Sequence, residues 1–374
     1  AQQADAPEQR VLRILNWDLY IDFDENVSAD NPLAKQSPTL REFAEKFDCE
    51  IEYHQYVTAE DMTARVWEMD GYYDVLVLNP ASAGRMLKAE WLMPIPQEKV
   101  PNIRYVDECA KTSPVDPEGR YLIPYMNSYV GLLYQPDKVR RDDASWDLFF
   151  NPPAHFTDHL GLYDSASLIF NVALLANGVT NFSSPAEKDI LKVQQIITRL
   201  KKEFNPRIVS SAERVRNEIF EGDIWLGLLY STDAHNVLRL DEENKYAFRI
   251  PPEGTMLDHD YLAVHRNSQN PALAFEFINF ILEPHVMGRI ATYLGAEPPS
   301  AEARRIQGPL QLPRAMDEQG CPRENMYVAF DQPLDFFLYW FEALNLPENA
   351  DTPSPTPDAA RMTPSPGNRP EESL

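Results

Sequence analysis

Residues 73–78, Tyr-Asp-Val-Leu-Val-Leu, close on four branched apolar side chains in a row. A strand with one wet face alternates polar and apolar residues, so this run predicts a strand covered on both faces, as in a parallel sheet between two helix layers. The segments before it supply the connectivity. Residues 13–15, Arg-Ile-Leu, read as a buried strand that empties into Asn16, Trp17, Asp18 and Tyr20. Thr39 stands as a helix N-cap with Glu42 three residues on, and Leu40, Phe43 and Phe47 follow at helical spacing. Residues 49–53 read as a strand and 59–69 as a helix, with an acidic, Asn-rich surface loop over 22–36. Strand, helix, strand, helix, strand predicts a doubly wound α/β unit. Ligands collect at the carboxyl ends of strands in such sheets. That rule singles out the Trp17 loop and the loop Asn79-Pro80-Ala81-Ser82. The two aromatic faces of Trp17 and Tyr20 could each attract a cation by about 0.5–2 kcal/mol, or simply pack a strand end.

The pattern then repeats. A short helix over 83–90 is followed by apolar runs at 121–125 and 130–134, read as a crossing into a second unit. That unit has segment 146–150, a strand at 160–164, helices at 167–176 and 187–204, and a strand at 224–230 that opens into Ser231, Thr232 and Asp233. After a strand at 246–250, Asp258-His259-Asp260 leads into 261–264, a second crossing. Helices over 271–282 and 286–294 follow, then an aromatic helix over 327–344. From Pro347 onward Pro, Ser, Thr, Asp and Glu predominate, a composition that cannot bury a core and predicts disorder. The expected organisation is a first lobe of 10–124 plus 257–305, a second of 125–256 plus 306–346, and a tail of 347–374. Two α/β lobes joined by two crossings describe a clamshell that closes by hinge motion.

With 374 residues, 44% of them hydrophobic and 25% charged, the chain can form two such lobes. Its net charge of −24 repels phosphate backbones and anionic lipid, so nucleic acid is excluded as a natural partner and a cationic small molecule is favoured, although acidity also serves solubility alone. No apolar run approaches membrane-spanning length. The polar start Ala1-Gln2-Gln3-Ala4-Asp5-Ala6 reads as an exported chain after signal-peptide removal. Cys49, Cys109 and Cys321 form no metal-type spacing; one disulfide with a free thiol and three free thiols both fit. Neither a nucleophile elbow nor a phosphate loop is present. His155 and His159 follow two prolines, and Asp258-His259-Asp260 lacks the further ligands a metal needs. A binding cleft with no metal and no cofactor is therefore expected rather than an active site.

In order, Asn16-Trp17-Asp18-Leu19-Tyr20, Tyr73-Asp74-Val75-Leu76-Val77, Ile123-Pro124-Tyr125-Met126, Glu221-Gly222-Asp223, Tyr230-Ser231-Thr232-Asp233, Pro252-Glu253-Gly254, Asp258-His259-Asp260 and the stretch from Asn279 to Val286 resemble the spermidine/putrescine-binding periplasmic proteins of polyamine ABC importers. The likeness runs over about residues 11–344. It implies a type II periplasmic-binding-protein clamshell, a monomer, that captures a small cationic amine and delivers it to an inner-membrane permease. A sensor subunit for a membrane signalling receptor would look the same. It also places Trp17 and Tyr20 on the family's aromatic contacts, Tyr230 where a Trp is usual, Asp233 on a carboxylate position and Asp260 on the ammonium-pairing acid. Asp18, Asn79, Asp164, Ser165, Asp258 and Glu297 complete the expected site. The departures are specific. Ser165 and Leu168 stand where the family has acids, Asp258 where it has an aromatic residue, and Ala81 and Ala296 replace aromatics. A buried charge left unpaired is costly, so these changes favour short diamines or a smaller cationic amine over spermidine.

Overall fold

The computed structural model describes residues 10–24, 32–163, 165–209, 219 and 223–329. Strands β1 (Val11–Trp17), β2 (Glu50–Tyr56), β3 (Val75–Leu78), β4 (Ile123–Tyr134), β5 (Leu160–Tyr163), β6 (Arg207–Val209), β7 (Leu226–Tyr230), β8 (Ala247–Arg249), β9 (Thr255–Val264) and β10 (Met326–Tyr327) form one sheet. Its order is β2-β1-β3-β9-β4-β7-β5-β6, with β8 on β4 and β10 on β9. At one end β2, β1 and β3 are parallel; at the other β7, β5 and β6 are parallel. Between them the long strands β9 and β4 run antiparallel to each other, β9 also to β3 and β4 to β7, and both belong to both ends.

The predicted double coverage of the β3 region is present. Successive side chains of a strand point to opposite faces, and Val75 and Val77 enter one core while Leu76 and Leu78 enter another. β1 divides likewise, with Leu12 and Ile14 on one face and Leu15 on the other. The first face is covered by helices Pro38–Phe47, Pro271–Ile281 and Pro284–Leu294, the second by Ala59–Glu68 and Pro80–Lys88. The second lobe repeats the plan. Helices Trp146–Phe150, Ala166–Ala176 and Glu187–Phe204 cover one face, and helix Ser231–Leu240 the other. The fold is a two-lobe α/β clamshell, as expected.

Several local expectations shift. Ser37 rather than Thr39 caps the first long helix: the Leu40 amide donates to Ser37 Oγ at 3.2 Å, and Pro38 starts the helix with a φ already suited to it. The helix expected at 83–90 begins at Pro80, because Asn79 caps it by accepting from the Ser82 amide at 2.9 Å. Residues 123–134 form a single strand, with a bulge between Pro124 and Asn127. Asp258, His259 and Asp260 lie inside β9 rather than before it. Within the supposed loop at 22–36, Leu33–Gln36 is helical, and the buried Asp22 carboxylate accepts from Arg289 Nε at 3.0 Å. Tyr327 is in a strand; the rest of the aromatic segment beyond 329, and the Pro-rich tail, lie outside the described residues. Cys109 and Cys321 form a disulfide with a Cα–Cα distance of 5.4 Å, and Cys49 is free and half-buried.

Candidate functional site

Where β9 passes from one lobe to the other it carries Asp258 and Asp260, two residues apart and therefore on one face of the strand. Met256 and Leu262 have the same parity. Met256 belongs to the core of the second lobe and Leu262 to that of the first. The two carboxylates thus lie between the two cores, where β9 crosses from one lobe to the other. His259 has the opposite parity, and its Nδ1 lies 2.6 Å from Asn127 Oδ1.

Each lobe brings one tyrosine to this pair. The Tyr20 hydroxyl donates to Asp260 Oδ2 at 2.7 Å. It is delivered by a tight turn after β1 in which Leu19 takes a left-handed φ of 52° and the Tyr20 amide returns to the Trp17 carbonyl at 3.4 Å. The Tyr20 carbonyl accepts from Asn16 Nδ2 at 3.0 Å and from the Tyr125 hydroxyl at 2.9 Å, which holds the turn down. From the second lobe, Tyr230 approaches Asp258 closely enough to pull its carboxyl down. Register accounts for the contact: Val130 pairs with Tyr230 and Ser128 with Asp258, so both side chains rise from one face of β4 and its neighbours. Tyr163 packs edge-on against Tyr230 with ring centroids 5.3 Å apart.

The electrostatics follow from burial. Loss of water pushes the Asp258 carboxyl up to about 6, against the pull of the Tyr230 hydroxyl. Asp260 is raised well above the usual carboxylate range, first by burial and then by the charge of Asp258, while Tyr20 holds it down in part. Asp233, buried in the first turn of helix Ser231–Leu240, is pushed to about 7 by burial alone. Among the described residues no Lys, Arg or His acts on any of the three. Three desolvated carboxyls without a counter-ion are expensive to ionise, and a cation entering the cleft removes that cost.

The other expected site residues are placed as follows. Trp17 is half-buried with its ring 4.3 Å from Tyr56, its in-register partner on β2. Asp18 is half-buried, with its amide on the Tyr56 carbonyl at 2.9 Å. Asn79 and Ser165 both cap helices, Ser165 accepting from the Leu168 amide at 3.4 Å. Leu168 itself is buried in the core of the second lobe. Asp164 lies outside the described residues. Glu297 is engaged by backbone amides. Its carboxylate is 1% exposed and accepts from the Ala315 amide at 2.5 Å and the Met316 amide at 3.4 Å, with Arg314 at 3.9 Å. It anchors a chain segment. Sequence reading had missed Tyr163, Tyr56 and Tyr125. Tyr163 ends an apolar strand as Tyr230 does, and the same strand-end rule could have found it.

Comparison with known proteins agrees with this geometry. The model of the bacterial extracellular solute-binding proteins matches residues 39–310, and the chain belongs to that family. It is a solute-binding protein rather than an enzyme. It is 27% identical over 311 residues to a putrescine-binding periplasmic protein of Pseudomonas aeruginosa, covering 78% of each chain. A spermidine/putrescine-binding periplasmic protein of Escherichia coli is 25% identical over 309 residues, covering 82% of each. Among solved structures, a spermidine/putrescine ABC transporter substrate-binding protein of Streptococcus pneumoniae superimposes with a TM-score of 0.70 at 19% identity, over 90% of this chain and 98% of that one. No helix among the described residues is long and apolar enough to cross a membrane.

Proposed function

We propose that this protein is a periplasmic receptor for a small organic cation of the polyamine class, which it carries to an ABC permease in the inner membrane. The observation that carries the reading is the pair Asp258 and Asp260 on one face of β9 between the two cores, with the Tyr20 hydroxyl donating to Asp260, Tyr230 by Asp258, and no counter-ion among the described residues. An ammonium there gains charge-assisted hydrogen bonds to carboxylates already held in position. The half-buried rings of Trp17, Tyr20, Tyr163 and Tyr230 supply apolar and π surface for a methylene chain and its charged end. The names of the relatives from Pseudomonas aeruginosa and Escherichia coli support the same ligand class. In this reading the lobes are 10–124 with 257–305 and 125–256 with 306–346, the hinge is β4 with β9, and the working form is a monomer. Titration calorimetry against putrescine, cadaverine, agmatine, spermidine and matched neutral alcohols tests it. Amines bind and the alcohols do not; equal binding of an alcohol and its amine would overturn the proposal.

A further inference from the structure

The cation-binding reading needs one carboxylate where β9 crosses between the lobes, and this chain has two. Residues two apart along a strand stand about 7 Å apart at Cα. Asp258 and Asp260 have separate neighbours: the Tyr20 hydroxyl of the first lobe donates to Asp260, while Asp258, in register with Ser128 on β4, lies by Tyr230 of the second lobe. Among the described residues no cationic side chain acts on the pair; what faces it is tyrosine, through Tyr20, Tyr125 and Tyr230, with Tyr163 packed on Tyr230. A single ammonium has three N–H donors, which one carboxylate and a hydroxyl can satisfy. It would leave the other carboxylate, half-buried Asp258 or buried Asp260, without a charge partner, or favour its keeping a proton. A divalent metal ion would neutralise both charges, but no third His, Cys, Asp or Glu joins the pair among the described residues, and hard cations take six or more oxygen ligands.

We infer that Asp258 is a specificity-determining residue: with Asp260 it selects ligands that bring two cationic nitrogens, joined by a short methylene chain, to the crossing of β9. The inference rests on the cation-binding reading and deepens it. Asp260 grips one nitrogen and Asp258 the other, so the ligand touches carboxylates positioned by both lobes and closure of the cleft depends on its second charge. A monoamine of the same length fills the same space and forgoes that link.

The experiment compares 1,3-diaminopropane with propylamine by titration calorimetry on the wild type, Asp258→Asn and Asp258→Glu, with thermal unfolding of each ligand-free variant as the check on folding. The wild type prefers the diamine by roughly a hundredfold or more, the scale set by leaving one buried charge unpaired. Asp258→Asn brings the two ligands to within about tenfold, by weakening the diamine while leaving the monoamine nearly unchanged, and Asp258→Glu restores most of the preference. Diamine preference undiminished in Asp258→Asn overturns the role of Asp258 and leaves the cation reading standing. A wild type that binds no amine in the wider panel overturns the cation reading, and this inference with it. Should Asp258→Asn fail to fold, an Asp258→Glu variant with no preference between the ligands counts against the inference, and a retained preference counts for it.

Discussion

The Tyr20 hydroxyl meets Asp260 Oδ2 at 2.7 Å across 240 residues of chain, joining the turn after the first strand to the strand that returns from the second lobe. The bond can form only once β9 has paired antiparallel with β3, which sets Leu78 opposite Tyr261 and brings Asp260 beside the ends of the parallel strands. It orients a carboxylate whose pKa burial raises well above the usual range, and it pulls in the opposite direction.

Tyr20→Phe removes that donor and leaves the ring. Amine affinity at neutral pH is expected to fall by about 1–3 kcal/mol, the range for a hydrogen bond to a charged group, with little change in folding. Calorimetry beside thermal unfolding measures both, and an unaltered affinity would put this hydroxyl outside the binding site.

Ligand binding should strengthen as pH rises. In the folded chain Asp258 is pushed to about 6 and Asp233 to about 7, with Asp260 also raised. The folded state therefore holds protons that the unfolded chain releases from about pH 4 upward. These groups make the ligand-free fold less stable as pH climbs through that window. His259, pushed down to about 4, acts oppositely: its contribution is lost as pH falls from about 6.5. A bound cation pairs with ionised carboxylates and cancels only the first effect. The rise in Tm on adding amine is thus larger at about pH 8 than at about pH 5, and a shift that shrank over this interval would contradict the assignment.

Glu297→Ala separates architecture from binding. Removing the carboxylate leaves the buried Ala315 and Met316 amides without an acceptor, at a cost of roughly 2–4 kcal/mol. Denaturant unfolding is expected to show that loss while ligand affinity, corrected for the folded fraction, stays near that of the wild type. A selective loss of affinity in a fully stable variant would place Glu297 in the site.

The Cys109–Cys321 disulfide closes a separation of 212 residues. Replacing both cysteines with serine should lower stability by about 2–5 kcal/mol. Alkylation of the denatured, unreduced protein followed by mass measurement should tag one thiol, Cys49; three tags would show that the bond does not form.

Much of the fold was legible because burial on both faces leaves a direct trace in composition. The apolar run of β3, the amphipathic helix Glu187–Phe204 and the apolar strand ending at Tyr230 are local patterns, and each element lies within a few residues of its expected place. Errors clustered at caps and boundaries. Thr39 and Ser37 are both good capping residues, and only the chain's entry into the helix chooses between them. Segment 258–260 was misread as a lead-in because Asp-His-Asp has no strand-like composition; the strand is held there by pairing with β4.

The site divides along the same line. Strand-end residues Trp17, Tyr20, Tyr230 and Asp233 could be nominated from the chain alone, since where a strand ends is a local matter. Glu297 and Asn79 were nominated in the same way, and only the tertiary structure shows that their side chains also accept from backbone amides, because such a side chain takes whichever donors the fold brings within reach. The shared face of Asp258 and Asp260 follows from strand parity once the strand is known. That a tyrosine from the first lobe donates to Asp260 while one from the second lies by Asp258 is a property of long-range pairing, and no local pattern in the chain encodes it.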